Sequence, residues 1–190
     1  MTFQAYLDLA IQAALETGKL QLEMLQQPLQ VESKAHATDL VTEADKACEA
    51  LVRQIILSKY PDHAILGEEG GQEGSSRHRW IVDPIDGTVN YAHGYPHFCV
   101  SIGLDIEGKL SVGVVYESSK NELFTATAGG GAYLNQRCIS VSDHRLLGGR
   151  TIAGNYVSSG SETFAEDKLV FMRISEAGIP THSRRWVGCA

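Results

Sequence analysis

Apolar residues in the first 27 positions recur every three or four places. Phe3, Leu7, Ala10, Ile11, Ala14, Gly18, Leu22 and Leu25 share one face, and Pro28 follows. That period predicts a helix over residues 3–27. A second helix is predicted to open at Thr42 and to carry Ala44, Cys48, Leu51 and Ile55 on one side, with Pro61 beyond its end. The period then changes. "HAILGEEG" and "RWIVDP" read as short buried strands that each end in carboxylates. Residues 98–127 alternate and turn as a meander, with a hairpin turn at Glu107-Gly108-Lys109. "AGGGAYLN" is a Gly-rich turn into another strand. Residues 161–177 return to a helix with Phe164, Val170, Phe171 and Ile174, closed by Gly178, and residues 70–78 are the most linker-like stretch. Helices, then a mostly antiparallel sheet, then helix and strand again define a layered α/β or α+β protein.

Composition narrows the function. A length of 190 residues suggests one domain, or one domain with an attached part. Net charge is -7, and Arg184-Arg185 is the only adjacent basic pair, so nucleic acid is a poor partner. An acidic protein that handles phosphates needs cations to offset its own field. The four cysteines, Cys48, Cys99, Cys138 and Cys189, form no CxxC, which argues against structural zinc and fits reduced thiols in a cytosol. The first residues lack a basic start and an uninterrupted apolar core, so no signal peptide and no membrane span are expected, and the expected location is cytoplasmic.

The candidate chemistry gathers behind the two predicted strands. Asp83 and Asp86 alone read as a structural turn, since Asp-Pro and Asp-Gly are common turn pairs. Their spacing, with Pro84 between, excludes an EF-hand loop. With Glu68 and Glu69 they make four acids at strand ends, and close carboxylates repel unless compensated. Oxygen-only ligands point to Mg2+ or Mn2+ rather than Zn2+. Pro84 stiffens the turn, so that the Ile85 carbonyl could face the same ions. Gly87-Thr88 opens a helical turn whose free N–H groups would suit an anion. Thr42-x-x-Asp45 fits a capping box. His93 and His97 read as positional, Glu69 as a supporting or surface acid, and Gly129-Gly130-Gly131 as a turn rather than a phosphate cradle.

The string "WIVDPIDGTVNYAHGYPHFCVSIGL", with "LGEEG", "DLVTEADK", "GVVY" and "GGGAYLN", resembles the inositol monophosphatase family over nearly the whole chain. The resemblance implies a layered αβαβα sandwich of the inositol monophosphatase and fructose-1,6-bisphosphatase type. Its members are generally dimeric, hydrolyse small phosphomonoesters with Mg2+, and are commonly inhibited by lithium. It assigns Glu68, Asp83 and the Ile85 carbonyl to one metal, Asp83 and Asp86 to a second, and a share of a third to Glu68. Asp86, Gly87 and Thr88 would meet the phosphate, and Thr88 paired with Asp45 would orient or deprotonate the attacking water. Lys34 matches a family lysine near the metals. "WVGCA" matches the turn that contacts substrate, which implicates Gly188, Cys189 and Ala190.

The same resemblance divides the chain into a metal-binding part, 1–145, and the start of a C-terminal α/β part, 146–190. The family's later Trp-Asp motif, whose aspartate completes the second metal site, is not in this sequence. Either the sequence is a fragment of a longer protein, or the protein is truncated and short of one metal ligand. The expected activity is hydrolysis of inositol 1-phosphate. Histidinol phosphate, fructose 1,6-bisphosphate and 3′-phosphoadenosine 5′-phosphate are the alternative substrates, and a non-catalytic metal- or partner-binding homologue is the alternative role. Aspartyl-phosphate phosphatases carry Asp-x-Asp-Gly-Thr, one residue shorter than the string at Asp83. That extra residue and the upstream "GEEG" favour activated water over a covalent aspartate.

Overall fold

A computed structural model describes residues 3–27 and 43–140, and the backbone of 31–33 and 40–42. The predicted helix at 161–177, Lys34, the division at 145/146 and Gly188, Cys189 and Ala190 lie outside the described residues.

Two long helices form as the 3.6-residue period requires: α1, Gln4–Met24, and α2, Glu43–Lys59. The buried face of α1 differs from the expected one. Ala10, Ala14 and Gly18 are buried, but so are Ala13, Thr17 and Gln21, whereas Leu22 is 37% exposed. The stripe has turned toward small side chains because they let the helix axis sit close to the sheet beneath.

That sheet has eight strands. In chain order they follow a two-stranded pair, β1 (Val31–Ser33) and β2 (Leu40–Thr42). They are β3 (Ala64–Gly67), β4 (Gly71–Glu73), β5 (His78–Asp86), β6 (Cys99–Ile106), β7 (Lys109–Glu117), β8 (Glu122–Thr127), β9 (Gly131–Leu134) and β10 (Arg137–Ile139). The order across the sheet is β10-β9-β8-β7-β6-β5-β3-β4, and among the described residues only β3 and β5 run parallel. The meander appears as β6 to β8, with a two-residue turn in which Glu107 and Gly108 both have positive φ. The linker-like stretch 70–78 instead contains β4, an edge strand paired to β3. A second positive-φ turn, Asn135-Gln136, joins β9 to a β10 that no sequence period announced.

Alternation gives the sheet two different faces. On one, Trp80, Val82, Val100, Ile102, Leu104, Val112, Val114 and Tyr116 pack with Leu9, Ala10, Ala13 and Ala14 of α1 and Val52, Ile55 and Ile56 of α2. On the other lie Ile81, Asp83, Ser101 and Val115, a face that mixes polar groups with apolar ones. The apolar face is so tight that a methyl group on Gly18 would overlap the Tyr116 ring. Glycine-to-alanine in a helix normally gains about 1 kcal/mol. Here we expect Gly18→Ala to lose about 1–3 kcal/mol through overpacking. A urea midpoint raised by the substitution would contradict this packing.

Candidate active site

The site is built on the parallel pair β3 and β5. Gly67 of β3 lies opposite Val82 of β5, and the Glu68 N–H donates to the Val82 carbonyl at 3.1 Å. The next residues, Glu68 and Asp83, therefore leave the pair side by side. The Glu68 side chain is exposed, whereas Asp83 is half-buried with its Oδ1 atom enclosed.

Asp86 joins them through a bulge. Asp83 pairs with Ser101 and Asp86 with Cys99, so three steps on β5 match two on β6. Residues three apart on a regular strand face opposite ways. The extra residue cancels that, and brings Asp83 and Asp86 to the side of the sheet that Ser101 and Cys99 share. Pro84 suits the bulge because it has no N–H to give to a ladder. The expected strand end at Asp83-Pro84 thus becomes a strand that continues through the bulge to Asp86.

Buried polar contacts hold this shape. The Pro84 carbonyl accepts from Gln21 Nε2 at 2.8 Å, and the Cys99 thiol donates to Asp86 Oδ2 at 3.8 Å. Ile85 turns its side chain into an apolar cluster with Ala44, Cys48, Tyr91 and Phe98. Its carbonyl accepts from Thr88 Oγ1 at 3.1 Å. The same hydroxyl lies 3.3 Å from Asp45 Oδ1. It has one hydrogen, so the two acceptors share it or alternate. Asp45 is fully buried in the first turn of α2, where the helix dipole favours a carboxylate.

Gly87 has φ 95, and a Cβ there would stand 3.0 Å from the His97 carbonyl. Its lack of a side chain thus answers to backbone conformation and close packing. It caps α3, Thr88–Ala92, the short helix anticipated after Asp86. His93 contacts the Val89 carbonyl at 2.8 Å, and His97 contacts Lys120 at 3.0 Å. Gly129, Gly130 and Gly131 form the turn between β8 and β9.

Two residues outside the expected set matter most. Gln21 is buried inside α1 and unites the site's parts. Glu49, also buried, accepts from the Glu69 N–H at 2.7 Å. The first could have been noticed as a polar residue within a helical stripe; the second is concealed as an ordinary helix acid. Among the described residues, no three His, Cys, Asp or Glu side chains already form a metal cage. Glu68, Asp83 and Asp86 nonetheless supply oxygen donors from one end of the sheet, the donor chemistry that hard divalent cations take.

The fold recurs in solved structures. One, the extragenic suppressor protein SuhB of Bartonella henselae, is 39% identical with a TM-score of 0.72, covering 74% of this chain and 56% of that one. Another, an inositol monophosphatase/NADP phosphatase complexed with NADP and Ca2+, is 28% identical with a TM-score of 0.68, covering 74% and 54%. The inositol-1-monophosphatase of Synechocystis is 47% identical over 141 residues, 73% of this chain and 49% of that protein. The model of the inositol monophosphatase family matches residues 3–190, and the chain belongs to that family. It spans about half the length of the curated relatives it matches. Among the described residues, no helix is long and apolar enough to cross a membrane.

The buried cluster beside Asp45 also titrates abnormally. Burial, and then the Asp45 charge, push the Cys48 thiol up to about 12 from a usual 9.0. Burial raises Tyr91 as well, with Cys48 and Asp45 adding to it. The folded chain therefore keeps the Cys48 proton that the unfolded chain gives up. Stability from this group is complete below about pH 9 and is lost as pH rises toward about 12. Urea midpoints should fall across that window, and Cys48→Ala should flatten the fall. An equally steep fall in the variant would contradict the assignment.

Proposed function

We propose that the protein carrying this chain is a Mg2+-dependent phosphomonoesterase that hydrolyses inositol 1-phosphate to inositol and phosphate with water as the nucleophile. One observation carries the reading: the bulge in β5 places Asp83 and Asp86 on one side of the sheet, beside Glu68. The family membership and the Ca2+ complex of a solved relative support a divalent cation here. Glu68, Asp83, the Ile85 carbonyl and Asp86 would hold the cations. Bound there, the cations supply the positive charge that lets a phosphate and several carboxylates share one site.

The chain's own groups handle the water. Thr88 Oγ1 accepts a hydrogen bond from it while donating its own hydrogen to Asp45 Oδ1, which sets the water's lone pair toward phosphorus. As the oxygen–phosphorus bond forms, the water proton passes to Thr88 Oγ1 and the threonine hydrogen to Asp45. The bond to the inositol oxygen breaks, and that oxygen takes a proton from solvent. Asp86, Gly87 and Thr88 orient the phosphate, and Gly188, Cys189 and Ala190 meet the inositol. Residues 1–145 are the metal-binding part, and 146–190 begin a C-terminal α/β part. The protein works in the cytoplasm as a homodimer.

Phosphate release from inositol 1-phosphate should stop with EDTA and return with Mg2+. It should exceed release from histidinol phosphate, fructose 1,6-bisphosphate and 3′-phosphoadenosine 5′-phosphate. Thr88→Ala and Asp45→Asn should each lower kcat by about 100-fold or more, as loss of a proton-transfer group does. Single turnover in 18O-water should label phosphate directly and leave Asp83 unlabelled. Trapping a phosphorylated Asp83 would overturn the mechanism.

A further inference from the structure

An ion pair within α2, Glu49 with Arg53, sits beside the turn that carries Glu68. Glu49 is 3% exposed, and its carboxylate accepts two backbone hydrogen bonds from the turn after β3. Oε2 takes the Glu69 N–H at 2.7 Å, and Oε1 takes the Gly70 N–H at 2.9 Å. Arg53, one helical turn on, donates Nε to Glu49 Oε1 at 2.9 Å. It also donates to the Gly71 carbonyl at 2.7 Å and to Glu73 at 2.9 Å. The segment from Gly67 to Glu73 is thus wrapped around one carboxylate–guanidinium pair. A Cβ on Gly67 or on Gly70 would overlap the Glu49 carboxylate, so both glycines are fitted to it.

The wrapping has a consequence for Glu68. This residue stands in the turn, and the strand that follows, β4, is three residues long at the sheet edge. Hydrogen bonds to β3 alone hold such a strand weakly in place. Glu49 supplies what the edge lacks, because it fastens the turn to a helix that is itself packed on the core. Four residues before Glu49 on the same helix, Asp45 meets Thr88. Four residues rise about 6 Å along a helix. We infer that Glu49, held by Arg53, is a positioning residue: α2 acts as a fixed spacer between the Asp45–Thr88 pair and the Glu68 turn. The inference rests on the reading of Glu68 as a metal ligand.

The test is Mn2+ affinity of the full 190-residue chain, read by electron paramagnetic resonance of the free ion. Glu49→Gln should weaken binding about 10–100-fold, as loss of a group supporting a ligand does. Glu68→Gln should weaken it at least as much, and the double variant should be no weaker than Glu68→Gln alone, since Glu49 acts through Glu68. If Glu49→Gln fails to fold by circular dichroism, Arg53→Lys replaces it in the same cycle. Additive losses would overturn the inference, as would unchanged affinity in Glu49→Gln beside a weakened Glu68→Gln; the ligand reading would then stand. Unchanged affinity in Glu68→Gln, or no Mn2+ binding by the unaltered chain, would overturn the ligand reading and the inference together.

Discussion

The acidic end of the sheet depends on one buried amide. Gln21 donates to the Pro84 carbonyl at 2.8 Å and accepts from Ser118 Oγ at 2.8 Å, while its backbone carbonyl accepts from the Tyr91 hydroxyl at 2.7 Å. The side chain ties α1 to the bulge and to the residue just after β7, and the backbone of the same residue ties α1 to α3. A buried polar group left without a partner costs about 1–3 kcal/mol. That penalty opposes any arrangement in which the bulge slides. Were β5 to run without its extra residue, the Pro84 carbonyl would leave Gln21, and Asp83 and Asp86 would face opposite sides of the sheet. The amide thus stabilises a register, and the register brings the two aspartates together.

Around this anchor the fold separates two tasks. The apolar face of the sheet supplies stability through its contact with α1 and α2. The other face, together with the strand ends, carries oxygen-bearing groups. Crowding carboxylates is unfavourable in water-poor surroundings unless positive charge or donors compensate. Glu49 shows one solution, with Arg53 and two backbone N–H groups as its partners. Asp45 shows another, at a helix N-terminus with the Thr88 hydroxyl as donor. Glu68, Asp83 and Asp86 add three more carboxylates at the same end of the sheet, the oxygen donors that hard divalent cations take. Placing Asp45 and Glu49 on one helix makes α2 the reference against which the rest of the acidic end is set.

Local patterns were legible where a local force decides them. The helical period exposed α1 and α2, alternation exposed β6 and β7, and "EGK" and "AGGG" marked turns that need positive φ. Composition and the spacing of Asp83 and Asp86 pointed to oxygen ligands. Other features needed the third dimension. Strand β4 read as linker because only its pairing with β3 makes it a strand, and β10 escaped notice because three residues have no measurable period. Leu22 faces outward and Gln21 inward, since the closeness of the sheet selects small or hydrogen-bonded residues over the more hydrophobic ones. Glu49 and Arg53 have the i, i+4 spacing of a common surface pair, and their burial depends on a turn 20 residues away. Chemical type and period thus marked the oxygen-bearing residues and the longer helices and strands. That Glu68, Asp83 and Asp86 share one end of the sheet came from the fold, because the side a strand residue faces depends on the register its neighbour imposes.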